Sequence, residues 1–539
     1  MSKSASERVF GIADLVDCIC GNAAIRNDDG TLTNWYFFFT FARINKIAAT
    51  PALREIWRHL DVHSARKILK LLPENPASQL TVIRGGDKPK TQQQIVQLEL
   101  GRIFFYCEMV EFFHALGWTS IEATRLNDFL NLVQLHMPSK IVFPRLKSLL
   151  FPLTHGHCNL NLSGLGLTQI EHISVLSHPT FCSQLIDITP LFPVIRTLEL
   201  KDDIVALSPW KETIKRAVGT MSSLRNLIIT TSRSIAPYIL ADIATIPTIK
   251  MIKFNIRTSN HPEPPNINSF SSSRQSSRDL ILKMTRGDFD IISTLLRQSQ
   301  SVSISHSVLI FDGIDKDSIE QPSVDRAITA IVDTCPSLKM LTIIATRSSG
   351  SRFYRPISTE DDILVISSQT LEPLTRLSHI TTLDLHLETA LIITPTFLNH
   401  IAEFWSSLQY CYLSPFKRFE LEKNEEPLLR LPDIIHFASR CPSLHTLGVV
   451  FDLELDIIER EGWFEQSPCL PVARAMKKLD VGSSGIWDHR RTASIISTAF
   501  PFLDNFAWTG PSFKSTMCMS ARESEEWFKT QNLVFGLCS

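Results

Sequence analysis

An excess of either charge is missing from this sequence: 54 Lys and Arg stand against 55 Asp and Glu. A protein that tracks a phosphate backbone normally carries a basic surplus or stripe, so nucleic acid is not the expected partner. Long apolar runs are missing too. The longest aromatic run, Trp35 to Phe39, falls far short of the ~20 residues a membrane-spanning helix needs, and no membrane partner is expected. The N-terminal MSKSASERVFGIADLVD carries acidic residues where a secretory leader needs an unbroken apolar stretch. Disulfide spacing is absent as well: the eleven cysteines include no C-x-x-C pair, and Cys335, Cys411 and Cys441 fall at apolar positions where a thiol packs as a small hydrophobe. The expected compartment is reducing: cytoplasm, nucleus or both.

The motifs of bond chemistry are equally scarce. Arg84-Gly85-Gly86-Asp87-Lys88 lacks the spacing and hydroxyl of a phosphate loop. Val481 to Gly485 lacks the spacing of a nucleophile elbow. His155, His157 and Cys158 form the densest metal-type group, with no second pair nearby to complete a zinc set. Arg490-Arg491-Thr492-Ala493-Ser494 fits a kinase site or, with Ile495, Ile496 and Ala499 behind it, the solvated start of a buried helix. The expectation is no catalytic residues, no metal, no cofactor and no enzymatic activity. An enzyme on an α/β fold is the competing class, and a compact pocket with convergent polar groups would favour it.

What is present is a repeat. Ile214, Ala217, Val218 and Met221 stand at i, i+3, i+4 and i+7, one stripe of a helix. The same spacing returns at Ile328 to Cys335, at Leu398 to Trp405 and at Ile434 to Cys441. Each stripe is followed at a fixed offset by a strand-like trio: Leu224, Leu227, Ile229; Leu338, Leu341, Ile343; Leu408, Cys411, Leu413; Leu444, Leu447, Val449. Cys335-Pro336-Ser337-Leu338 and Cys441-Pro442-Ser443-Leu444 mark the break, since proline cannot continue the helix. Weaker copies are FPRLKSLLF from Phe143, FPVIRTLEL from Phe192, IPTIKMIKF from Ile246, LSHITTLDL from Leu377, MKKLDV from Met476 and FPFLDNFAW from Phe500. Unit lengths of roughly 25 to 36 residues lie near the leucine-rich repeat range. The expected fold class is α/β: an irregular leucine-rich-repeat solenoid over 141–539, with parallel strands on one face and helices on the other. A doubly wound sheet would show no fixed offset between stripe and anchor. SNHPEPPNINSFSSSRQSSR, between Arg257 and Arg278, is too polar to bury a core and reads as a flexible insertion at about 257–280. Glu420 to Pro427 is a smaller polar loop.

The first 65 residues are organised differently. Ile12, Leu15, Val16 and Ile19 form one short amphipathic helix, and Asn27-Asp28-Asp29-Gly30 favours a turn. A second apolar stretch runs from Trp35 to Ala49. Thr50-Pro51 reads as a cap and first position of a third helix, with Leu53, Ile56, Trp57 and Leu60 on one face. Residues 66–140 read as a helical linker or cap.

This three-helix segment resembles an F-box. VFGIADLVDCI is similar to the family's opening helix, and FARINKIAATPALREIWRHL to its closing part, with Ile44 in place of the family's valine. Ala13-Asp14 stands where the family usually has Pro-Glu, and Asn45 and Ala48 where it has Cys and Trp. Followed by repeats, the chain looks like fungal F-box proteins with divergent leucine-rich repeats. The resemblance implies a substrate-recognition subunit of a cullin-RING ubiquitin ligase of the SCF type. A Skp-type adaptor would then be held through Ile12, Leu15, Val16, Ile19, Ile44, Leu53 and Trp57, and an unknown protein substrate by the repeats. The alternative is a protein-binding repeat scaffold with no ubiquitin-ligase connection, its helical segment a cap on the array.

Alternation along the strands nominates the open face. With Leu227 and Ile229 inward, Asn226, Ile228 and Thr230 face outward, as do Met340, Thr342 and Ile344; Thr382, Asp384 and His386; Tyr410, Tyr412 and Ser414; and Thr446, Gly448 and Val450. Tyrosine is favoured at binding hot spots. The substrate-contact candidates are therefore Tyr410 and Tyr412 first, then Thr342, Asn226 and Asp384.

Overall fold

The structure is a computed structural model, described for residues 13–24, 32–44, 46–60, 62–69, 103–114, 120–136, 140–152, 165, 167–176, 192–201, 216, 218–232, 246, 248–257, 278–284, 289–298, 304–314, 321–347, 365–387, 390–413, 429–451, 471–482, 484–486, 488–508 and 521–536. The chain divides into two compact units, Met1–Thr230 and Thr231–Ser539.

The first unit opens on helices α1 (Ala13–Ala23), α2 (Trp35–Ile44) and α3 (Lys46–Trp57). They share a small core of Val16, Cys20, Leu32, Phe38, Phe41, Ala48 and Ala52. The alanines four apart on α3 let α2 approach closely. The expected helix start at Thr50-Pro51 is not where α3 begins: Pro51 lies inside it. A proline there removes one backbone hydrogen bond, and the buried Ala48 and Ala52 on either side hold the helix across the gap. Leu60 is also off the helix, on strand β1 (His59–Leu60).

That strand begins a parallel ladder with β2 (Phe112–His114), β3 (Ser148–Pro152), β4 (His172–Leu176), β5 (Thr197–Lys201) and β6 (Asn226–Ser232), each paired to the next. Helices α4 (Val62–Leu69) and α5 (Ser120–His136) lie between the early strands in sequence. The ladder thus starts inside the segments read as helical segment and linker. Strands of two and three residues are too short to display an alternation.

In the second unit the ladder runs β7 (Met251–Arg257), β8 (Arg278–Met284), β9 (Ile304–Ile314), β10 (Met340–Arg347), β12 (Thr382–Leu387), β14 (Tyr410–Leu413), β15 (Thr446–Val449), β16 (Lys478–Asp480), β17 (Asn505–Ala507), all parallel. Strands β11 (Val365–Ser367) and β13 (Ala390–Ile392) make a separate parallel pair. The helices are α6 (Phe289–Gln298), α7 (Gln321–Thr334), α8 (Ser368–Leu371), α9 (Pro395–Phe404), α10 (Leu431–Arg440), α11 (His489–Ala499) and α12 (Ala521–Val534). Strand order follows chain order. A doubly wound sheet would reverse that order at a switch point, so each unit is a repeat array.

The local logic of a repeat is visible in its hydrogen bonds. The residue closing each helix turns the chain by accepting an amide three residues on: Leu338 to Cys335 at 3.0 Å, Leu408 to Trp405 at 3.0 Å, Leu444 to Cys441 at 3.0 Å and Leu503 to Phe500 at 3.2 Å. One carbonyl of the preceding repeat then accepts two successive amides at the strand start. Thr381 and Thr382 donate to Lys339, Gln409 and Tyr410 to Thr381, His445 and Thr446 to Gln409, and Lys477 and Lys478 to His445. The lock puts Leu341, Leu383, Cys411, Leu447, Leu479 and Phe506 in one register row, all buried. Each fully buried aliphatic of this kind stabilises by about 1.5–3 kcal/mol. On the helix side, α6 packs against α7 and α9 against α10. Arg326 clamps Asp290 across the first of these pairs with bonds of 2.8 and 3.0 Å.

Arg490 and Arg491 lie in the first turn of α11, where Asp488 caps both of their amides at 2.9 and 3.1 Å. Of the insertion expected at about 257–280, Arg257 belongs to β7 and residues 278–280 to β8, while residues 258–277 lie outside the described residues, as does the Glu420 to Pro427 loop. His155, His157 and Cys158 do as well. Among the described residues, no helix is long and apolar enough to cross a membrane.

Candidate interaction sites on the helical segment and the open strand face

The helical segment buries one side of α2 and exposes the other. Phe38 and Phe41 enter the small core. Tyr36, Phe37 and Phe39 remain 70%, 45% and 47% exposed, with the Arg43 guanidinium 6.0 Å from the Phe39 ring centre. A helix apolar all round cannot bury every face against one core. The five consecutive aromatics Trp35 to Phe39 are the sequence signal for this surface, and a search for single stripes passes over it.

The residues expected to hold an adaptor are placed unevenly. Val16 is fully buried among α1–α3, because the three helices need it for their own core. Ile19 and Leu53 are half-buried. Trp57 is half-buried and packs against Tyr106 at 4.7 Å. Ile12 lies outside the described residues, as do the side chains of Leu15 and Ile44.

On the strands, Asn226, Thr342, Asp384 and Tyr410 are half-buried, each beside a buried residue, whereas Tyr412 is itself buried. Asn226 on β6 donates to the Thr197 hydroxyl at 3.2 Å. In the second unit Thr342, Asp384, Tyr412, Gly448 and Asp480 share one register row across β10, β12, β14, β15 and β16. Tyr410 stands in the next outward row, between Thr382 and Thr446. So Asp384, Tyr410 and Tyr412 come together, with Thr342 beside them, while Asn226 belongs to the first unit.

Three residues complete the group. His386 packs against Tyr412 at 4.6 Å, and its Nε2 lies 2.8 Å from Asp384 Oδ1. Tyr412 donates its hydroxyl to Asp480 Oδ2 at 2.7 Å. Asp480 is two strands away from β14, so the Tyr412 ring must cross β15. Gly448 permits this: a Cβ there would stand 2.2 Å from Tyr412 Cδ2 and 2.9 Å from Cγ. Asp480 is held from behind by the Gly482 amide at 3.0 Å, where Gly482 takes φ 53 at the end of the strand. Asp480 was legible in principle: the alternation that places Tyr412 also places Lys478 and Asp480 outward in MKKLDV.

The crossing ring changes the surface. Tyr412 is only 6% exposed, and Thr446 and Gly448 beside it are buried as well. Tyr412 is therefore a floor, with Tyr410 stacked at 6.2 Å and 22° as its more open neighbour. Thr230, also expected outward, is buried, and Ser414 lies outside the described residues. Burial, then the negative charges of Asp384 and Asp480, push the Tyr410 phenol up to about 12. Burial and Asp480 push Tyr412 further in the same direction. Both phenols remain protonated donors across the physiological range.

A Gly448→Ala substitution is expected to expel the Tyr412 ring and break its bond to Asp480, because the contact is with the root of a ring. Overpacking of this kind costs about 1–3 kcal/mol. Tyr412→Phe, which keeps the ring, is expected to lose about 1.5–3 kcal/mol for a bond to a charged acceptor. Urea unfolding of the two variants and their combination tests the linkage. If the losses add in full, Gly448 is not there for Tyr412.

Among the described residues, no three His, Cys, Asp or Glu side chains are grouped so as to hold a metal ion. Buried Cys335 and Cys441 are pushed up to about 11 and about 12, chiefly by desolvation, and pack as neutral thiols.

Comparison with protein-family models finds no match. Comparison with curated proteins finds none either. Among solved structures the chain is similar to one described as "Crystal structure of Rad7 and Elc1 complex in yeast", at 12% identity and a TM-score of 0.31, covering 83% of this chain and 98% of that one.

Proposed function

We propose that this chain is the non-catalytic substrate-recognition subunit of a cullin-RING ubiquitin ligase, holding a Skp-type adaptor through its helical segment and a target protein on its repeats. The observation that carries the reading is the exposed aromatic side of α2. Tyr36, Phe37 and Phe39 stay in contact with water although α1–α3 have a core of their own. Contiguous exposed aromatics mark surfaces kept for a partner, and aromatic anchors dominate binding energy. The F-box resemblance of the same segment supplies the kind of partner. Val16 is buried in the helical core, so in this reading the exposed aromatics of α2 take the place of that expected contact. The chain's contribution to the reaction is proximity: one module holds the ligase, the other the target, and the second binding event becomes intramolecular.

The test is a titration of full-length protein with a purified Skp-type adaptor, set beside a Tyr36→Ala, Phe39→Ala double variant. Two anchors of about 2 kcal/mol each predict a loss of affinity of roughly a thousandfold. Because both side chains are exposed, thermal unfolding should hardly change. Failure of the unsubstituted protein to bind the adaptor would leave the repeat-scaffold reading and end the ligase one.

A further inference from the structure

We infer that the aromatic–acidic patch on β12 and β14 receives a lysine or arginine side chain from the protein bound on the repeats. The inference deepens the proposed function by naming a chemical feature of the target, and it rests on that reading for the partner being a protein.

Charge complementarity argues for the occupant. Tyr410 and Tyr412 stack at 22°, giving a face beside the Asp384 carboxylate. An aromatic face attracts a cation within about 6 Å of its centre. A carboxylate at the edge of that face supplies the countercharge, and neither group favours an anionic or purely aliphatic side chain.

Asp384 adds a second argument. Its side chain is 19% exposed, and Oδ1 is sealed from water without a hydrogen bond of good geometry, although His386 Nε2 stands 2.8 Å away. A partner's ammonium or guanidinium would not reach that sealed oxygen but would add a charge-assisted bond at the exposed part of the carboxylate. Asp480, by contrast, already accepts from the Tyr412 hydroxyl and the Gly482 amide. The two carboxylates stand three strand spacings apart, about 14 Å. The cation therefore belongs at the Asp384 end, over Tyr410, with Asp480 serving to fix the Tyr412 floor. Lys478 lies on β16 beside Asp480, so it does not neutralise Asp384.

The experiment uses the full chain without any adaptor, so that a failed adaptor titration and a failed patch give separate results. Fluorescein-labelled pentadecapeptide pools, degenerate except for a central Lys, Arg, Gln or Glu, are titrated by anisotropy. The Lys or Arg pool is expected to bind at least tenfold more tightly than the Gln and Glu pools. Asp384→Asn and Tyr410→Ala should each abolish that preference, and Asp480→Asn should weaken it less. Asp128→Asn, an exposed charge on α5 outside the patch, should leave it intact. Circular dichroism confirms that each variant folds. Equal binding of all pools overturns the inference. So does a preference that survives Asp384→Asn, or one that Asp128→Asn reduces equally, since the effect would then be general charge attraction.

Discussion

Replacing Trp527 with alanine is expected to destabilise the second unit by about 3–5 kcal/mol, the range for deleting a large buried aromatic. The indole is fully buried on α12, packs 5.4 Å from Phe506 and donates to the Ser484 carbonyl at 2.8 Å. Ser484 is itself buried and holds the chain after β16 by accepting from the Phe451 amide at 3.0 Å. One turn further along α12, Gln531 donates to the Phe506 carbonyl of β17 at 2.9 Å. The helix thus covers the last described strand with both an apolar and a polar contact. In a repeat array each element touches only its neighbours, so the damage should begin locally. Amides of β16 and β17 should lose hydrogen-exchange protection before those of β10 and β12. A loss below about 1 kcal/mol in urea unfolding, with unchanged exchange, would contradict the assignment of α12 as the cover of that edge.

Trp405 should show a loss of the same size with a different fingerprint. It closes α9, is fully buried, and stands where the corresponding repeats carry Met221, Cys335 and Cys441. The backbone role is shared: Trp405 accepts the Leu408 amide at 3.0 Å, as Cys335 accepts that of Leu338. The side-chain volume is not, so the surroundings of α9 are shaped to an indole. Trp405→Ala is expected to cost about 3–5 kcal/mol. Trp405→Cys, although it restores the residue of two sister repeats, should cost nearly as much. The indole nitrogen has no hydrogen-bond acceptor among the described residues. Trp405→Phe removes that buried donor along with some volume. Since an unsatisfied buried donor costs about 1–3 kcal/mol, the phenylalanine variant should lie within about 1–2 kcal/mol of the parent. Chemical denaturation of the three variants decides. Should Phe prove as damaging as Ala, the indole nitrogen has a partner after all.

The ordering of strands was legible wherever a repeat carried both halves of its pattern. The four strong copies became β6, β10, β14 and β15, and the six weaker ones β3, β5, β7, β12, β16 and β17. Strand β4 was legible but passed over: Leu167, Ile170, Ile173 and Val175 repeat the phase of Leu377, Ile380, Leu383 and Leu385, and the Ile170 amide donates to the Leu167 carbonyl at 3.3 Å. Strands β8 and β9 escaped because Ser277 stands where other copies carry an apolar anchor and Ser307 falls in the row of Leu280. The interior of the helical segment was half legible: the stripe with Val16 was visible, but a stripe shows which residues seek burial, not what buries them. The open-face patch was readable as positions and not as contacts. Alternation put Asp384, Tyr410, Tyr412, His386 and Gly448 on one side. The ring's path across its neighbour's strand to Asp480 was not legible, because it depends on a side-chain rotamer and on an absent Cβ.

The carbonyl that accepts two amides at each strand start gives the array a direction in time. Lys339 receives Thr381 and Thr382, Thr381 receives Gln409 and Tyr410, and Gln409 receives His445 and Thr446, always from the later repeat to the earlier. A chain emerging from the ribosome finds each acceptor already in place, so every repeat can dock as it leaves the exit tunnel. Because the lock involves backbone at the strand start alone, the stretch between a strand's end and the next helix can lengthen without disturbing it. Such arrays can therefore gain, lose or enlarge repeats over evolutionary time while the neighbouring docking rules stay the same.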